Sequence, residues 1–269
     1  MYSLYLEGLE SEAELLSSEL WDEGATGIQE EPLVGARCQL RAWFEDPAGL
    51  LQRFATFGPR IESEPDVDWE AESRQAWQPF AVGRRLYLAP EWDESATPAG
   101  RIRLTIHPGQ ALGTGAHPAT QLCLEALETQ LLASDVVLDV GAGTGILASA
   151  AHHLGARHVM GCDIDFDSIS VARCNLLSDA LPPHVFAGST RAVRSQSIDL
   201  LLANINAVTH QTLAGEYARI ARRCLSLSGV PDRHAAKVSE ALAKFGYKVA
   251  QTLTKNEWVA LVLCNEEDS

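Results

Sequence analysis

Val137-Leu138-Asp139-Val140-Gly141-Ala142-Gly143-Thr144-Gly145-Ile146 runs an apolar segment into three alternating glycines. Val136–Val140 fits a buried strand and Ile146–Leu154 a helix. Glycines between a strand and a helix let the backbone turn sharply and approach a ligand closely. The dinucleotide spacing G-x-G-x-x-G would need glycine at position 146, where the chain has isoleucine. The spacing G-x-G-x-G, with Asp139 two residues ahead, points instead to a smaller cofactor without a phosphate to cradle.

Outward from this turn, strand and helix alternate as in an α/β domain. His158–Asp163 reads as the next strand and Ser168–Ser178 as a helix; His184–Ala187 and Ile198–Ala203 read as two further strands. A helix over Val208–Cys224, a strand over Leu225–Gly229 and a helix over Arg233–Phe245 follow. Tyr247–Leu253 and Trp258–Cys264 are close enough for a hairpin, which makes the last strand antiparallel. The expected fold class is a seven-stranded, doubly wound, Rossmann-like α/β domain. Asp163 closes its strand about 20 residues beyond the glycines, where an acid can hold both hydroxyls of a ribose. Asp165 and Asp167 read as loop acids or helix caps.

The first sixty-odd residues follow another pattern. Tyr2, Leu4 and Leu6 alternate; Ser11 is a candidate cap for a helix carrying Leu15, Leu16 and Leu20. Thr26–Glu30 and Cys38–Phe44 read as strands, Asp46-Pro47 as the start of a second helix with Leu50, Leu51 and Phe54, and Arg60–Glu64 as a last strand. The order βαββαβ predicts a small ferredoxin-like domain over residues 1–65. Residues 66–88, with Trp69 and Trp77, read as a helical or extended linker, and 89–269 as the catalytic domain.

The 269 residues carry 36 acids against 21 Lys and Arg, a formal net charge of -15. Residues 1–72 hold 17 of the acids and only Arg37, Arg41, Arg53 and Arg60. Such a balance disfavours a protein that binds nucleic acid over its whole surface. The six cysteines show no CxxC spacing and read as small buried hydrophobes in a reducing compartment, with no disulfide framework and no metal site. No signal segment or membrane-crossing run is apparent, so a cytoplasmic chain is expected.

Two more stretches carry chemistry. His107 to Thr120 (HPGQALGTGAHPAT) places glycines and threonines just ahead of an apolar helix. Leu201 to Ala207 (LLANINA) puts Asn204 at the carboxyl end of a strand, where open α/β sheets bind their ligands. Together with VLDVGAGTGILASAA, GCDID, LSLSG, the connector WQPFAVGRRLYLAPEWD and the closing EWVALVL, PGQALGTGAHPATQLCLEAL and LLANINA make the sequence closely resemble the ribosomal protein L11 methyltransferase family.

The resemblance implies a class I methyltransferase that uses S-adenosyl-L-methionine to methylate lysine side chains or an N-terminal amine. It assigns cofactor contacts to Thr120, Gly141, Gly143, Asp163 and Asn204, with Asn204 beside the transferable methyl. Thr114 and His117 are expected to complete the wall around the amine, and the partner is expected to be a ribosomal protein with a basic surface. No membrane, no directly bound nucleic acid and a monomeric state are expected. The sequence departs from the family pattern at Ala116 and Ala119, and it lacks the glycine-rich turn usual between Arg223 and Leu225. Two other readings stay open: a lysine methyltransferase acting on another protein, and a cofactor-binding adaptor without activity.

Overall fold

The computed structural model describes residues 1–33, 35–63, 77–107 and 115–265. The chain divides into two compact units, Met1–Ala76 and Trp77–Ser269. The helical-linker reading of residues 64–76 lies outside the described residues.

In the first unit, β1 (Tyr2–Leu9), β2 (Gly27–Leu33), β3 (Arg37–Phe44) and β4 (Arg60–Ser63) form an antiparallel sheet in the order β2-β3-β1-β4. Helix α1 (Ala13–Asp22) lays Leu16 and Leu20 into a core with Leu4, Leu6, Leu40 and Phe44. Leu15 is exposed, because adjacent helical residues point about 100° apart. Ser11 does not cap this helix: it sits in a short 3₁₀ turn, Glu10–Glu12, and the Glu12 carboxylate accepts from the Leu9 amide at 3.1 Å. The second helix, α2 (Leu50–Arg53), is shorter than the periodicity predicts. Asp46 accepts from the Ala48 amide at 2.9 Å, but Gly49 at φ +81° breaks the helical path ahead of Leu50. Leu50 and Phe54, four residues apart, are buried, and Leu51 is exposed.

The second unit opens with a small sheet of β5 (Phe80–Val82), β6 (Leu86–Pro90) and β7 (Ile102–Ile106). Residues 77–88, read as linker from the sequence, are therefore part of this unit: Val82, Leu86 and Leu88 are buried in its core. The large sheet runs β10 (Val185–Ala187), β9 (His158–Asp163), β8 (Val136–Val140), β11 (Ile198–Asn204), β12 (Ala221–Pro231), β14 (Trp258–Asn265), β13 (Tyr247–Lys255). Its first five strands are parallel and the last two pairings antiparallel. Leu200 and Leu202 pack into one face with α3 (Pro118–Gln130), α4 (Ile146–Leu154) and α5 (Phe166–Ser178). Leu201 and Ala203 pack into the other with α6 (Ala207–Ile220) and α7 (Ala235–Ala243). That period-2 division explains why these central strands read as continuous apolar runs.

Helix α6 stops four residues earlier than expected. Ala221 is extended, and β12 starts there without an intervening turn. In the strand, Arg223 donates to Asp135 at 2.5 Å and Arg222 reaches the Gln196 carbonyl at 2.6 Å; these bonds hold the segment at the sheet's lower end. The missing turn thus lies away from Ser228 and the carboxyl end of β12.

The cysteine reading needs correction at two positions. Cys224 on β12 faces Cys264 on β14 across the antiparallel register, and the two form a disulfide. Cys38, Cys123 and Cys162 are buried free thiols, and Cys174 is exposed. Among the described residues, no helix is long and apolar enough to cross a membrane.

Candidate active site

Neighbouring β8 and β11 lead the chain to opposite sides of the sheet: β9 and β10 lie beyond one, β12 beyond the other. At such a switch point the loops diverge and leave a crevice at the carboxyl ends of the strands. Gly141 follows β8 and Asn204 ends β11, so both sit at the crevice.

The glycine loop is held open by its own geometry. Gly141, Gly143 and Gly145 all have positive φ, at 75°, 52° and 82°. A Cβ on Gly141 would lie 2.5 Å from the Ile205 Cγ2 methyl, so the backbone passes where a side chain has no room. The Gly141 and Ala142 amides donate to the Cys162 carbonyl at 2.8 and 3.1 Å. The Gly143 amide donates to Asp163 Oδ2 at 3.1 Å, and the Asp165 amide to Asp163 Oδ1 at the same distance. Asp163 is thereby fixed beside the loop, its carboxylate partly exposed.

Asp165 is the N-cap of α5. It accepts from the Asp167 and Ser168 amides and the Ser168 hydroxyl, and these bonds hold its carboxyl below the ordinary range. Next to Asp163 two apolar side chains stand in the open: Ile164 is 86% and Phe166 70% exposed. Exposed aliphatic and aromatic groups beside a partly exposed carboxylate suit the flat face of a nucleobase.

Across the crevice, Thr120 is buried in the first turn of α3, and Asn204 Nδ2 donates to its Oγ1 at 2.9 Å. That bond uses an amide donor and leaves the Asn204 carbonyl oxygen as the group able to accept from a ligand. His117 is the N-cap of α3: its Nδ1 accepts from the Ala119 amide at 3.2 Å, and its ring meets Trp258 edge-on at 4.7 Å. Thr114 lies outside the described residues, as does the segment 108–114. The structure therefore brings together Thr120 and Asn204 on one side and Gly143 and Asp163 on the other, with Gly141 against Ile205 between them.

Asp139 carries a signal the sequence reading used only for spacing: an acid inside an apolar strand. It is completely buried, and neither carboxylate oxygen has a hydrogen-bond partner among the described residues. Burial, with the charge of Asp163 adding to it and the Ala148 backbone opposing, pushes its pKa up to about 7. An uncompensated buried carboxylate next to a ligand loop is expensive and suits a cationic ligand. Because the folded value lies above the unfolded one of about 3.9, this group's stabilising contribution is present in acid and is lost as pH rises through about 7. In the ligand-free protein, stability should fall as pH rises from about 4 to about 7, by an amount on the order of 4 kcal/mol from this group alone, and level off above that. Asp139→Asn should remove that slope in thermal melts. An unchanged slope would mean that Asp139 is not the group responsible.

Glycine loop, strand-end acid, switch-point crevice and antiparallel closing hairpin together define an α/β domain of the methyltransferase type. The family model described as ribosomal protein L11 methyltransferase (PrmA) matches residues 39–266, and the chain belongs to that family. The ribosomal protein L11 methyltransferase of Deinococcus radiodurans is 35% identical over 93% of this chain and 93% of its own length. That of Geobacter sulfurreducens is 36% identical over 87% of this chain and 78% of its own. The crystal structure of a ribosomal protein L11 methylase from Lactobacillus delbrueckii subsp. bulgaricus superposes with a TM-score of 0.65 at 27% identity, covering 70% of this chain and 98% of that one.

Proposed function

We propose that the chain is an S-adenosyl-L-methionine-dependent N-methyltransferase acting on the amines of ribosomal protein L11, at lysine side chains or the N-terminal α-amine. The observation that carries this reading is the pairing of Asn204 with Thr120 across the crevice from Asp163 and the glycine loop. Membership of the family supplies the chemistry that this geometry serves.

The residues present fit the cofactor: a loop without room for side chains at Gly141, an acid for ribose hydroxyls at Asp163, exposed Ile164 beside it, and an unpartnered buried carboxylate at Asp139 for a cation. S-adenosyl-L-methionine, when bound, supplies a methyl group on a positively charged sulfur. An amine can attack that methyl only when unprotonated, and a lysine of pKa about 10.4 is mostly protonated near neutrality. The Asn204 carbonyl oxygen accepts a hydrogen bond from the neutral amine and directs its lone pair along the line of displacement. Thr120 holds the amide in the orientation that leaves this oxygen available. His117, by capping α3, fixes the first turn on which Thr120 sits. Titration calorimetry should show binding of S-adenosyl-L-methionine and no heat with NAD. The reverse preference would defeat the reading.

The first unit is read as a ferredoxin-like substrate-recognition domain, supported by its element order and its sheet order β2-β3-β1-β4. Its excess of acid is not balanced locally. Arg37, Arg53 and Arg60 are engaged by Glu7, Glu23 and Glu62, and Arg41 lies over the Tyr5 and Trp43 rings. The acidic surface left over attracts a basic protein partner, and the pairing takes place in the cytoplasm. Since the screening length is about 10 Å at 0.1 M salt, KM for the protein substrate should rise several-fold between low and high ionic strength. KM for the cofactor should move much less. A protein KM indifferent to salt would remove the electrostatic role of this unit.

A further inference from the structure

The segment that carries Asn204 is pinned on three sides. A Cβ on Gly229 (φ +79°) would lie 2.4 Å from the Ile205 carbonyl oxygen, and one on Gly141 would lie 2.5 Å from the Ile205 side chain. Ile205 is thus wedged between two glycines, one after β8 and one in β12. The third contact is the Ser228 carbonyl, braced by a buried histidine that sequence reading does not single out.

His210, on the first turn of α6, is fully buried. Its Nε2 lies 2.8 Å from the Ser228 carbonyl and its Nδ1 3.3 Å from the Tyr217 hydroxyl. Burial drives its pKa down to about 4, so the ring is neutral at physiological pH. A neutral imidazole has one N–H, and a carbonyl can only accept. The proton is therefore on Nε2, and Nδ1 accepts from Tyr217. Burial raises the Tyr217 phenol well above its ordinary range, which keeps that hydroxyl protonated and able to donate.

The Ser228 carbonyl also accepts from the Ile205 amide at 3.2 Å, and Ser228 stands opposite Asn204 in the register of β11 and β12. The Ser228 hydroxyl donates to the Ala119 carbonyl at 2.7 Å, one residue before Thr120, whose hydroxyl receives the Asn204 amide. The bonds close a ring: Asn204 to Thr120, along the backbone to Ala119, across to Ser228, and back through Ile205, with His210 bracing the Ser228 carbonyl from inside the protein.

We infer that His210 is a positioning residue: held as its Nε2–H tautomer by Tyr217, it braces Ser228 and so keeps the Asn204 amide oriented between Thr120 and the reacting amine. Its catalytic consequence rests on the methyltransferase reading. The bracing itself does not.

The test compares His210→Leu, which fills space without donating, with His210→Gln, whose amide can donate to the same carbonyl, and with Tyr217→Phe, which removes the donor to Nδ1. A displacement of about 1 Å in a reacting group costs about 100-fold in rate, so His210→Leu should lower kcat by up to about that factor, with cofactor affinity within about threefold of wild type. His210→Gln should recover most of the loss, and Tyr217→Phe should fall between. Equal impairment in the Leu and Gln variants would reduce His210 to a packing residue, and an unchanged kcat in His210→Leu would overturn the inference. Nitrogen-15 NMR of the wild-type protein supplies a readout independent of turnover. It should show His210 as the neutral Nε2–H tautomer at neutral pH, and the Asn204 side-chain amide resonances should shift in Tyr217→Phe. An Nδ1–H or doubly protonated ring, or unmoved Asn204 resonances, would overturn the bracing even if the Leu variant failed to fold. Failure of all methyl transfer with these NMR signatures intact would instead indict the functional reading.

Discussion

Asn204→Ala should lower kcat for methyl transfer by about 100- to 1,000-fold, the usual cost of deleting one preorganised polar group at a reacting centre. Cofactor affinity should weaken by less than about tenfold, because the glycine loop and Asp163 remain in place. The reason is geometric. Asn204 spends its amide donor on Thr120 Oγ1 at 2.9 Å, which leaves its carbonyl oxygen as the acceptor that the proposed mechanism uses to orient an attacking amine. Alanine at this position removes that acceptor and also leaves the buried Thr120 hydroxyl without its donor. Steady-state kinetics with a protein substrate, paired with calorimetry for the cofactor, separates the two effects. A variant that turns over within about threefold of wild type would remove Asn204 from the chemistry.

Asp163→Ala should show the opposite division. Hydrogen bonds to a charged group contribute about 1.5–3 kcal/mol each, so losing two at the ribose hydroxyls should weaken cofactor binding by about 100-fold or more. Turnover at saturating cofactor should fall much less. The substitution also frees the Gly143 and Asp165 amides, which both donate to this carboxylate at 3.1 Å, so the loop loses its tether together with the ligand contact. Asp163→Asn keeps the shape and one acceptor oxygen and should lie between. A cofactor dissociation constant within about threefold of wild type in the alanine variant would place the ribose elsewhere.

Much of this was legible in the sequence where one residue type answers one local demand. The bounds of β8, α4 and β9 coincide with the expected ones because an apolar run, a glycine triplet and a closing acid each punctuate the chain. The hairpin at the end is tighter than expected: β13 runs on to Lys255, and Asn256 at φ +54° makes the turn. The sequence over-extends helix α6 because Ala221–Cys224 keeps helical composition, and only the long-range pairing with β11, Ala221 opposite Ile198 and Cys224 opposite Leu200, makes the segment strand.

What escaped depends on register and burial, which no local pattern encodes. Cys224 and Cys264 are 40 residues apart and become partners only when β12 and β14 pair with those two residues opposite each other. Asp139 reads as part of a motif, and its isolation appears only once both faces of the sheet are covered. His210 looks like any polar residue on a helix until α6 packs it against the Ser228 carbonyl. For the site, the sequence picked out Thr120, Gly141, Gly143, Asp163 and Asn204. The structure adds the bonds that hold them: Asn204 to Thr120, and Gly143 to Asp163.

Transfer of a methyl group from S-adenosyl-L-methionine to amines of ribosomal protein L11 is the activity that every one of these residue roles serves. Its most direct test is incubation of the purified chain with methyl-labelled cofactor and purified, unmethylated ribosomal protein L11, followed by mass spectrometry of the protein product. The expected result is a mass increase in steps of one methyl group, confined to lysine side chains or the N-terminal amine and absent with Asn204→Ala. Binding of the cofactor without any label in the protein, or label on a residue other than an amine, would contradict it.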